Sequence, residues 1–197
     1  MMKRSILILS ICFFALCASA QKFGIKAGLN FANGNYELST ASLSTSSLTC
    51  FQLGVIGDFP VSQDLYFNTG LLYMQKGLKM DMLGVEVKLP INYLEVPFNL
   101  AYKYDLGGAV FFAQAGPYLG IGLSAKAKSG DEEEDMDFGD GDGEIKRMDF
   151  GLNVGTGIEI NAIQLGINYG LGLVDLENDP DAEFKNGVLS FTVGYFF

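Results

Sequence analysis

The stretch Gly187-Val188-Leu189-Ser190-Phe191-Thr192-Val193-Gly194-Tyr195-Phe196-Phe197 decides the fold of this chain. Large apolar side chains recur in it at every second position, while small or polar residues fill most of the positions between them. A repeat of two is typical of a β-strand with two unlike faces, because successive side chains of a strand point to opposite sides. About ten residues is also the length that a tilted strand needs to cross a bilayer.

The same alternation recurs along the whole chain after residue 21, which predicts an all-β fold. We count eight runs of about ten residues or more, the length of a membrane-crossing strand. They lie near 22–32, 49–59, 65–76, 90–104, 109–124, 146–160, 163–173 and 187–197.

The connections between these runs alternate between short and long. The short ones are 60–64, 105–108 and 161–162, and the long ones are 33–48, 77–89, 125–145 and 174–186. Bacterial outer-membrane barrels have short periplasmic turns and longer external loops. The pattern therefore predicts an eight-stranded antiparallel transmembrane β-barrel of up-and-down topology, with both termini on the short-turn side.

The types of residue on the two faces favour a membrane barrel over a soluble one. One face of each run is broad, aliphatic and aromatic, whereas the other is small, amide-bearing or charged. That arrangement suits lipid outside and a narrow polar lumen inside, and a lipocalin would show the reverse.

The N-terminus has the features of a secretory signal peptide. Lys3 and Arg4 precede an apolar run, and small residues follow it at 18–20. We expect cleavage of residues 1–20, which leaves one barrel domain at 21–197. Lipidation of Cys12 or Cys17 is disfavoured because large residues precede both, and Cys50 then remains as a single cysteine without a disulfide partner.

Several strand sequences resemble the PorT-type family of small outer-membrane barrels from Bacteroidota. The similar segments include 23–30, Asn92-Tyr93-Leu94-Glu95-Val96-Pro97-Phe98, 115–118, 149–157 and 169–172. The resemblance implies an eight-stranded barrel in the outer membrane and, for most members, no assigned activity. The founding member is linked to protein secretion, but these motifs build the barrel, and a fold does not fix a function.

Composition argues against catalysis and against nucleic-acid binding. The chain has no histidine, the general base on which barrel enzymes of the outer membrane usually rely, so we expect no catalytic site and no cofactor. A formal net charge of −10 disfavours nucleic acid as a partner.

Ionisable residues on the inward parity predict a polar network in the lumen. An unpaired buried charge is heavily penalised, so we expect these groups to satisfy one another inside a sealed barrel. A gated ion path, in which the pairs open in a minor state, is the alternative. The set comprises four bases and four acids, with a formal sum of zero: Lys22, Lys26, Lys103, Arg147, Asp58, Glu95, Asp149 and Glu159.

Three further segments carry hypotheses about partners. Phe197, a terminal aromatic, resembles the signal by which the barrel-assembly machinery recognises its clients. The segment 77–89 alternates like a strand and is interpreted as a hairpin that extends beyond the bilayer and offers an edge to a protein partner. The loop 131–144 carries nine acids and no base; we expect a solvated loop, with no metal site, rather than a calcium site.

Together these patterns predict an exported outer-membrane barrel of structural or interaction type, surrounded by membrane lipid and displaying external loops. A narrow channel for small solutes or ions is the alternative function.

Overall fold

The structure is a computed structural model that describes residues 21–38, 41–42, 45–82, 85–130, 132–139, 141, 144–178 and 182–197. The expected signal peptide, 1–20, lies outside the described residues. In the part of the chain that is described, no helix is long and apolar enough to span a bilayer.

Eight long antiparallel strands dominate the fold, as the alternation predicts. Their bounds agree with the eight sequence runs to within a few residues, except where strands extend further. They are β1 (Lys22–Ala32), β2 (Leu48–Pro60), β3 (Leu65–Met82), β4 (Val85–Asp105), β5 (Val110–Ser129), β6 (Met148–Ile160), β7 (Ile163–Gly172) and β8 (Gly187–Phe196).

The strands pair in chain order, and β8 pairs with β1, so the sheet closes on itself. Followed from strand to strand around the ring, the register leaves β1 at Ala32 and returns to it at Lys22, ten residues away. A closed barrel needs such a stagger, because its strands tilt by about 35–45° from the axis. The predicted eight-stranded up-and-down barrel is confirmed.

The two ends of the barrel differ in the length of their connections. Short turns join β2 to β3, β4 to β5 and β6 to β7, and the third consists of Asn161 and Ala162. Asn161 has a φ of 55°, a left-handed conformation that asparagine tolerates better than most residues. We call this end, which also carries the described termini, the short-turn end.

At the opposite end β3, β4 and β5 project further than the other strands. The paired positions of β3 and β4 run up to Met82 and Val85, so the predicted continuation of both strands into the segment 77–89 is confirmed for its described residues. The strand Glu132–Met136 adds to the edge of β5, and Thr45–Ser46 pairs with β3. A separate small sheet comprises Asn35–Leu38, Ala41–Ser42 and Ala182–Lys185.

The two faces of the barrel wall are sorted as the alternation predicts. Large apolar side chains point outward and remain exposed, among them Leu53, Leu100, Ile167 and Val193. In water such a belt would be a severe liability, whereas in a bilayer it is the surface that lipid covers.

Candidate functional site

The barrel interior contains a set of buried charged side chains, and its membership differs from the predicted one. Six of the eight predicted residues lie in the interior, but Lys22 and Arg147 are exposed and do not belong to the buried set. Lys22 is the first residue of β1, and Arg147 directly precedes β6. At the end of a strand, a side chain on the inward face is no longer enclosed by the barrel wall. The buried charged residues are Lys26, Asp58, Lys76, Glu95, Lys103, Asp149 and Glu159.

One cluster lies near the short-turn end and is centred on Lys103. Its ammonium pairs with Asp58 and, at 2.5 Å, with Glu159 Oε1. Asn68 donates to Asp58 Oδ1 at 2.6 Å, and Gln164 donates to Glu159 Oε1 at 2.9 Å. Because each carboxylate receives both a charge and an amide donor, the cost of burying these ions is offset within the cluster.

Lys26 lies on the long-loop side of this cluster and is 7% exposed. No described acidic group lies within ion-pair distance of its ammonium, although Asp58 and Glu159 are close enough to act on it electrostatically. Its side chain lines a polar interior cavity between this cluster and the next.

The second cluster lies towards the long-loop end and is centred on Lys76. Its Nζ lies 2.6 Å from Glu95 Oε2 and 3.0 Å from Asp149 Oδ2. Tyr118 donates its hydroxyl proton to Asp149 at 3.3 Å, and Asn186 donates to the same carboxylate at 3.0 Å. The Tyr118 ring also lies 4.0 Å from the ammonium, a cation–π contact in a desolvated setting.

Lys76 is the functional residue that sequence reasoning missed. Arg147 was a member of the predicted set, but the structure places Lys76 instead beside the acids of this cluster, where it is 2% exposed. The residue stood at the last position of a predicted strand, next to a segment interpreted mainly as an external hairpin. Its even parity, shared with Leu72 and Met74 on the inward face of β3, was the signal that could have identified it.

The exchange of residues changes the charge balance of the interior. The predicted set of four bases and four acids is formally neutral, whereas the buried set has three bases and four acids. Each cluster has one ammonium between two carboxylates, and Lys26 adds a third base beside the Lys103 cluster, so the excess acid lies in the Lys76 cluster. The predicted neutrality of the lumen is therefore wrong by one charge.

The lumen is also less polar than the sequence pattern suggests. Apolar side chains from β1, β2, β3 and β8 fill one side of it, including Cys50, Ile56, Leu72, Met74 and Phe196. The polar cavity that remains beside them has a volume of about 40 Å³, which holds a few water molecules at most. Asn99 lines this cavity and has a buried side-chain oxygen without a hydrogen-bond donor among the described residues.

An apolar cluster, which we call the cap, closes the lumen at the long-loop end. Leu78 and Ile91 on the barrel wall pack against Leu176 and Phe184 from the connection between β7 and β8. Met136 and Phe138 add to it from the connection between β5 and β6. Loop residues therefore cover the mouth of the barrel with side chains that exclude water.

The acidic segment differs in part from the expected solvated loop. Residues 132–135 form most of an exposed edge strand, and Glu133 pairs with Lys126 and Lys128. Asp131, Asp140 and Asp142 lie outside the described residues. Among the described residues, no group of three acidic, histidine or cysteine side chains is placed to hold a metal ion.

Phe197 directly follows β8 at the short-turn end and is 79% exposed. Its N–H donates to Phe23 O at 2.8 Å, and its ring lies 5.9 Å from that of Tyr195. The terminal aromatic is therefore held in the wall while its ring stays accessible.

The chain matches the protein-family model described as "Outer membrane protein beta-barrel domain" over residues 19–178. No curated protein sequence matches the chain.

Several solved structures are similar in fold. The outer membrane protein OprG from Pseudomonas aeruginosa has a TM-score of 0.53 and 12% identity, over 90% of this chain and 96% of OprG. Neisserial surface protein A has a TM-score of 0.50 and 17% identity, over 89% of this chain and 97% of its own. Ail of Yersinia pestis has a TM-score of 0.46 and 16% identity, over 89% and 98%. The likeness to OprG and Neisserial surface protein A shows the fold.

Proposed function

This chain belongs to the family of outer membrane protein beta-barrel domains, and on that basis we propose that it is a closed scaffold whose projecting strands contact other molecules outside the cell. Its location is the outer membrane. The proposal concerns how the barrel is used there: as a support for the external strands rather than as a pore or an enzyme.

The filled interior is the observation that carries this proposal. The Lys103 and Lys76 clusters occupy two levels of the lumen, and the cap covers its external mouth. An eight-stranded barrel has an interior that side chains can fill. A barrel sealed in this way supplies rigidity, and contacts with other molecules then fall to its outer parts.

The extended hairpin of β3 and β4 is the surface that we propose for a protein partner. Its inner face packs on the cap through Leu78 and Met80, so the barrel supports the base of the hairpin. Its outer face exposes Glu86 and Lys88 to the exterior. This exposure and this packing support the proposal that segment 77–89 contacts a protein partner.

The absence of histidine from the chain supports a non-catalytic role, because the usual proton-transfer group of barrel enzymes is missing. The resemblance to PorT-type barrels supports the same class of function. A role in secretion does not follow from it, since the shared segments are the strands that build the wall.

A site-specific cross-linking experiment tests the proposal. A photo-reactive amino acid at Glu86, in the hairpin, is compared with one at Lys22, an exposed position at the opposite end of the barrel. In intact cells we expect a discrete cross-linked species with the probe at position 86. With the probe at position 22 we expect that species to be absent. Equal, diffuse labelling at both positions contradicts a partner at the hairpin, and recovery of a secretion component would assign the PorT-type role.

A narrow ion path is the second candidate function, and Lys26, which has no ion-pair partner among the described residues, favours it. A lysine of this kind beside a polar cavity is a group that a passing anion could use. Planar-bilayer recording of the purified protein distinguishes the two functions. If the barrel is a closed scaffold, we expect no steady conductance steps. Steady steps whose size changes in Lys26→Met would contradict the closed scaffold and support the channel.

A further inference from the structure

The apolar surface that the barrel presents to lipid is not equally tall on all strands. On β3 it spans five outward positions, from Leu65 to Tyr73, and Gln75 follows as the next outward residue. On β6 it spans seven outward positions, from Ile160 to Met148. These strands are three places apart in a ring of eight, so their outer faces point largely in opposite directions.

Each of the two stretches includes one threonine, and in both cases its hydroxyl is bonded within the wall. Thr69 donates to Pro97 O at 2.7 Å, and Thr156 donates to Phe112 O at 2.8 Å. A hydroxyl that has a hydrogen-bond acceptor is tolerated in an apolar environment. Neither threonine therefore interrupts the apolar surface.

The upper ends of the two stretches, towards the long-loop end, lie at different heights along the barrel axis. Tyr73 and Met148 share one cross-strand row, through Leu94 on β4 and Ile121 on β5. A row climbs towards the long-loop end, because one circuit from β1 through β2 to β8 returns to β1 ten residues further along. Each strand adds about 3 Å, so Met148 lies about 9 Å higher than Tyr73.

The lower ends of the two stretches, towards the short-turn end, are level. Leu65 lies in one row with Tyr102, Ala113 and Thr156, and β6 continues four residues below Thr156 to Ile160. Those four residues descend by about 10 Å, which cancels the climb of the row across three strands. The apolar surface is therefore about 20 Å tall on β3 and about 30 Å tall on β6.

Polar side chains fix the upper limit of the apolar surface on each side. Above Tyr73, Gln75 donates to Asn92 Oδ1 at 3.0 Å, so two amides lie directly beyond the apolar residues of β3 and β4. Beyond the upper end of β6, the Lys146 ammonium donates to Glu177 O at 2.6 Å. Amide and ammonium groups are costly in hydrocarbon. The hydrocarbon layer therefore ends lower beside β3 than beside β6.

The residue types at the short-turn end show the same asymmetry. On β1, β2 and β3 this end carries aromatic rings: Phe59 lies 5.8 Å from Phe23 and 6.4 Å from Phe67. On β6 and β7 the outward residues at this end are aliphatic, and the turn that joins these strands, Asn161 and Ala162, carries no charge. Aromatic girdles mark the membrane interface. The hydrocarbon layer therefore reaches nearer to the turn beside β6 than beside β3.

We propose that the barrel holds the bilayer thin beside β3 and thick beside β6, so that the lipids against β3 have shorter or more disordered acyl chains. The apolar band of such barrels is about 25 Å tall, which exceeds the surface on β3 and falls short of that on β6. Tilting is another response to mismatch. A tilt moves both edges of one side together, however, so it cannot remove a difference in height between two sides. The inference holds for a closed scaffold and for a channel alike.

Single tryptophans test the two thicknesses, because the chain has no tryptophan of its own. Four variants are made, two at the ends of the β3 stretch and two at the ends of the β6 stretch. Each is refolded into vesicles of phosphatidylcholine whose acyl chains carry bromine either near the headgroup or near the chain end. Bromine quenches tryptophan fluorescence on contact, so the ratio of quenching reports which part of the acyl chain lies against the ring. The variants are Leu65→Trp, Tyr73→Trp, Met148→Trp and Ile160→Trp.

We expect bromine near the headgroup to quench all four rings most strongly and to a similar extent. In a bilayer of uniform thickness the two distances of the β3 rings from the bilayer centre add up to about 10 Å less than those of the β6 rings, whatever the tilt. Stronger quenching of the β3 rings by bromine near the chain end would therefore overturn the proposal.

Extending the short side supplies the matched control. Gln75→Leu together with Asn92→Leu adds one apolar row, so the ring of Tyr73→Trp should move about 5 Å deeper, towards the chain-end bromine. The same double change should leave the ring of Met148→Trp where it is. The mobility shift of folded barrels on gels reports whether each variant folds; if Tyr73→Trp does not, Leu71→Trp takes its place. An unmoved β3 ring, or an equal shift of both rings, would contradict a local effect on thickness.

Discussion

Lys76 Nζ lies 2.6 Å from Glu95 Oε2, and the same ammonium lies 3.0 Å from Asp149 Oδ2. One cation from β3 thereby joins carboxylates from β4 and β6 across the lumen. All three side chains are almost completely buried, so their charges depend on one another for stabilisation.

We expect Lys76→Met to destabilise the barrel by about 3–5 kcal/mol, because it leaves two buried carboxylates without a cation. Urea unfolding of the refolded protein in lipid vesicles measures this. Arg147→Met is the matched control: Arg147 is exposed and lies 5.3 Å from the Phe138 ring, a contact of about 1 kcal/mol or less. Equal losses for the two variants would show that the buried cluster contributes no special stability.

Phe184→Ala should loosen the cap without opening the barrel wall. Phe184 is 2% exposed within the cap, and a truncation of this kind costs about 3–5 kcal/mol. The Leu176 N–H, which donates to Phe184 O at 2.8 Å, should exchange with deuterium at least about tenfold faster, while amides in the middle of β7 keep their rates. Leu173→Ala, at an exposed residue nearby, is the control; an unchanged Leu176 rate would mean that Phe184 does not hold the cap closed.

The pKa of Glu86 should lie at about 2, below its ordinary 4.5, because Lys79 and Lys88 donate hydrogen bonds to its carboxylate. A lowered folded-state pKa means that the stabilisation is complete above pH 4.5 and is lost as the pH falls towards 2. A carbon-13 titration of the Glu86 carboxyl measures this. Combined K79Q and K88Q should return the midpoint towards 4.5, and added salt should do so in part. A wild-type midpoint near 4.5 would contradict the ion pairs.

Deletion of Phe197 should reduce assembly of the barrel in cells while leaving the stability of the refolded protein almost unchanged. Its ring is exposed and contacts the ring of Tyr195, so the free energy of unfolding of the refolded protein should change by about 1 kcal/mol or less. If the residue is an assembly signal, the yield of inserted barrel in cells should fall severalfold. Phe197→Tyr, which keeps a terminal aromatic, should restore it. An unchanged yield after deletion would refute the role.

The fold was predictable to a high degree, because the repeat of two is a local property. The eight alternating runs predict the number of strands. The alternation of short and long connections predicts that neighbouring strands are antiparallel and that the short turns share one end of the barrel. Lys76 shows the limit of this prediction. The alternation places its side chain on the inward face of β3, but alternation does not show how far along the strand the wall still encloses the lumen.

The sequence predicted the kind of site, a buried polar network in the lumen, but not all of its members. Asp58 and Lys103 were expected to belong to a polar network in the lumen, and they form an ion pair there. Lys22 and Arg147 carry the same inward parity but lie near strand ends, where the wall no longer covers them. Burial depends on how far neighbouring strands rise around a residue, and this is set by stagger and loop packing rather than by alternation.

The sequence by itself determined the two-faced wall, because side-chain direction in a strand alternates whatever the neighbours are. The tertiary structure alone decided which charges meet, how the cap closes the mouth, and that Tyr73 and Met148 lie in one row. Those relationships join residues from different strands across a closed, staggered ring. Their distances depend on the register of every intervening pair, which no single segment of the chain encodes.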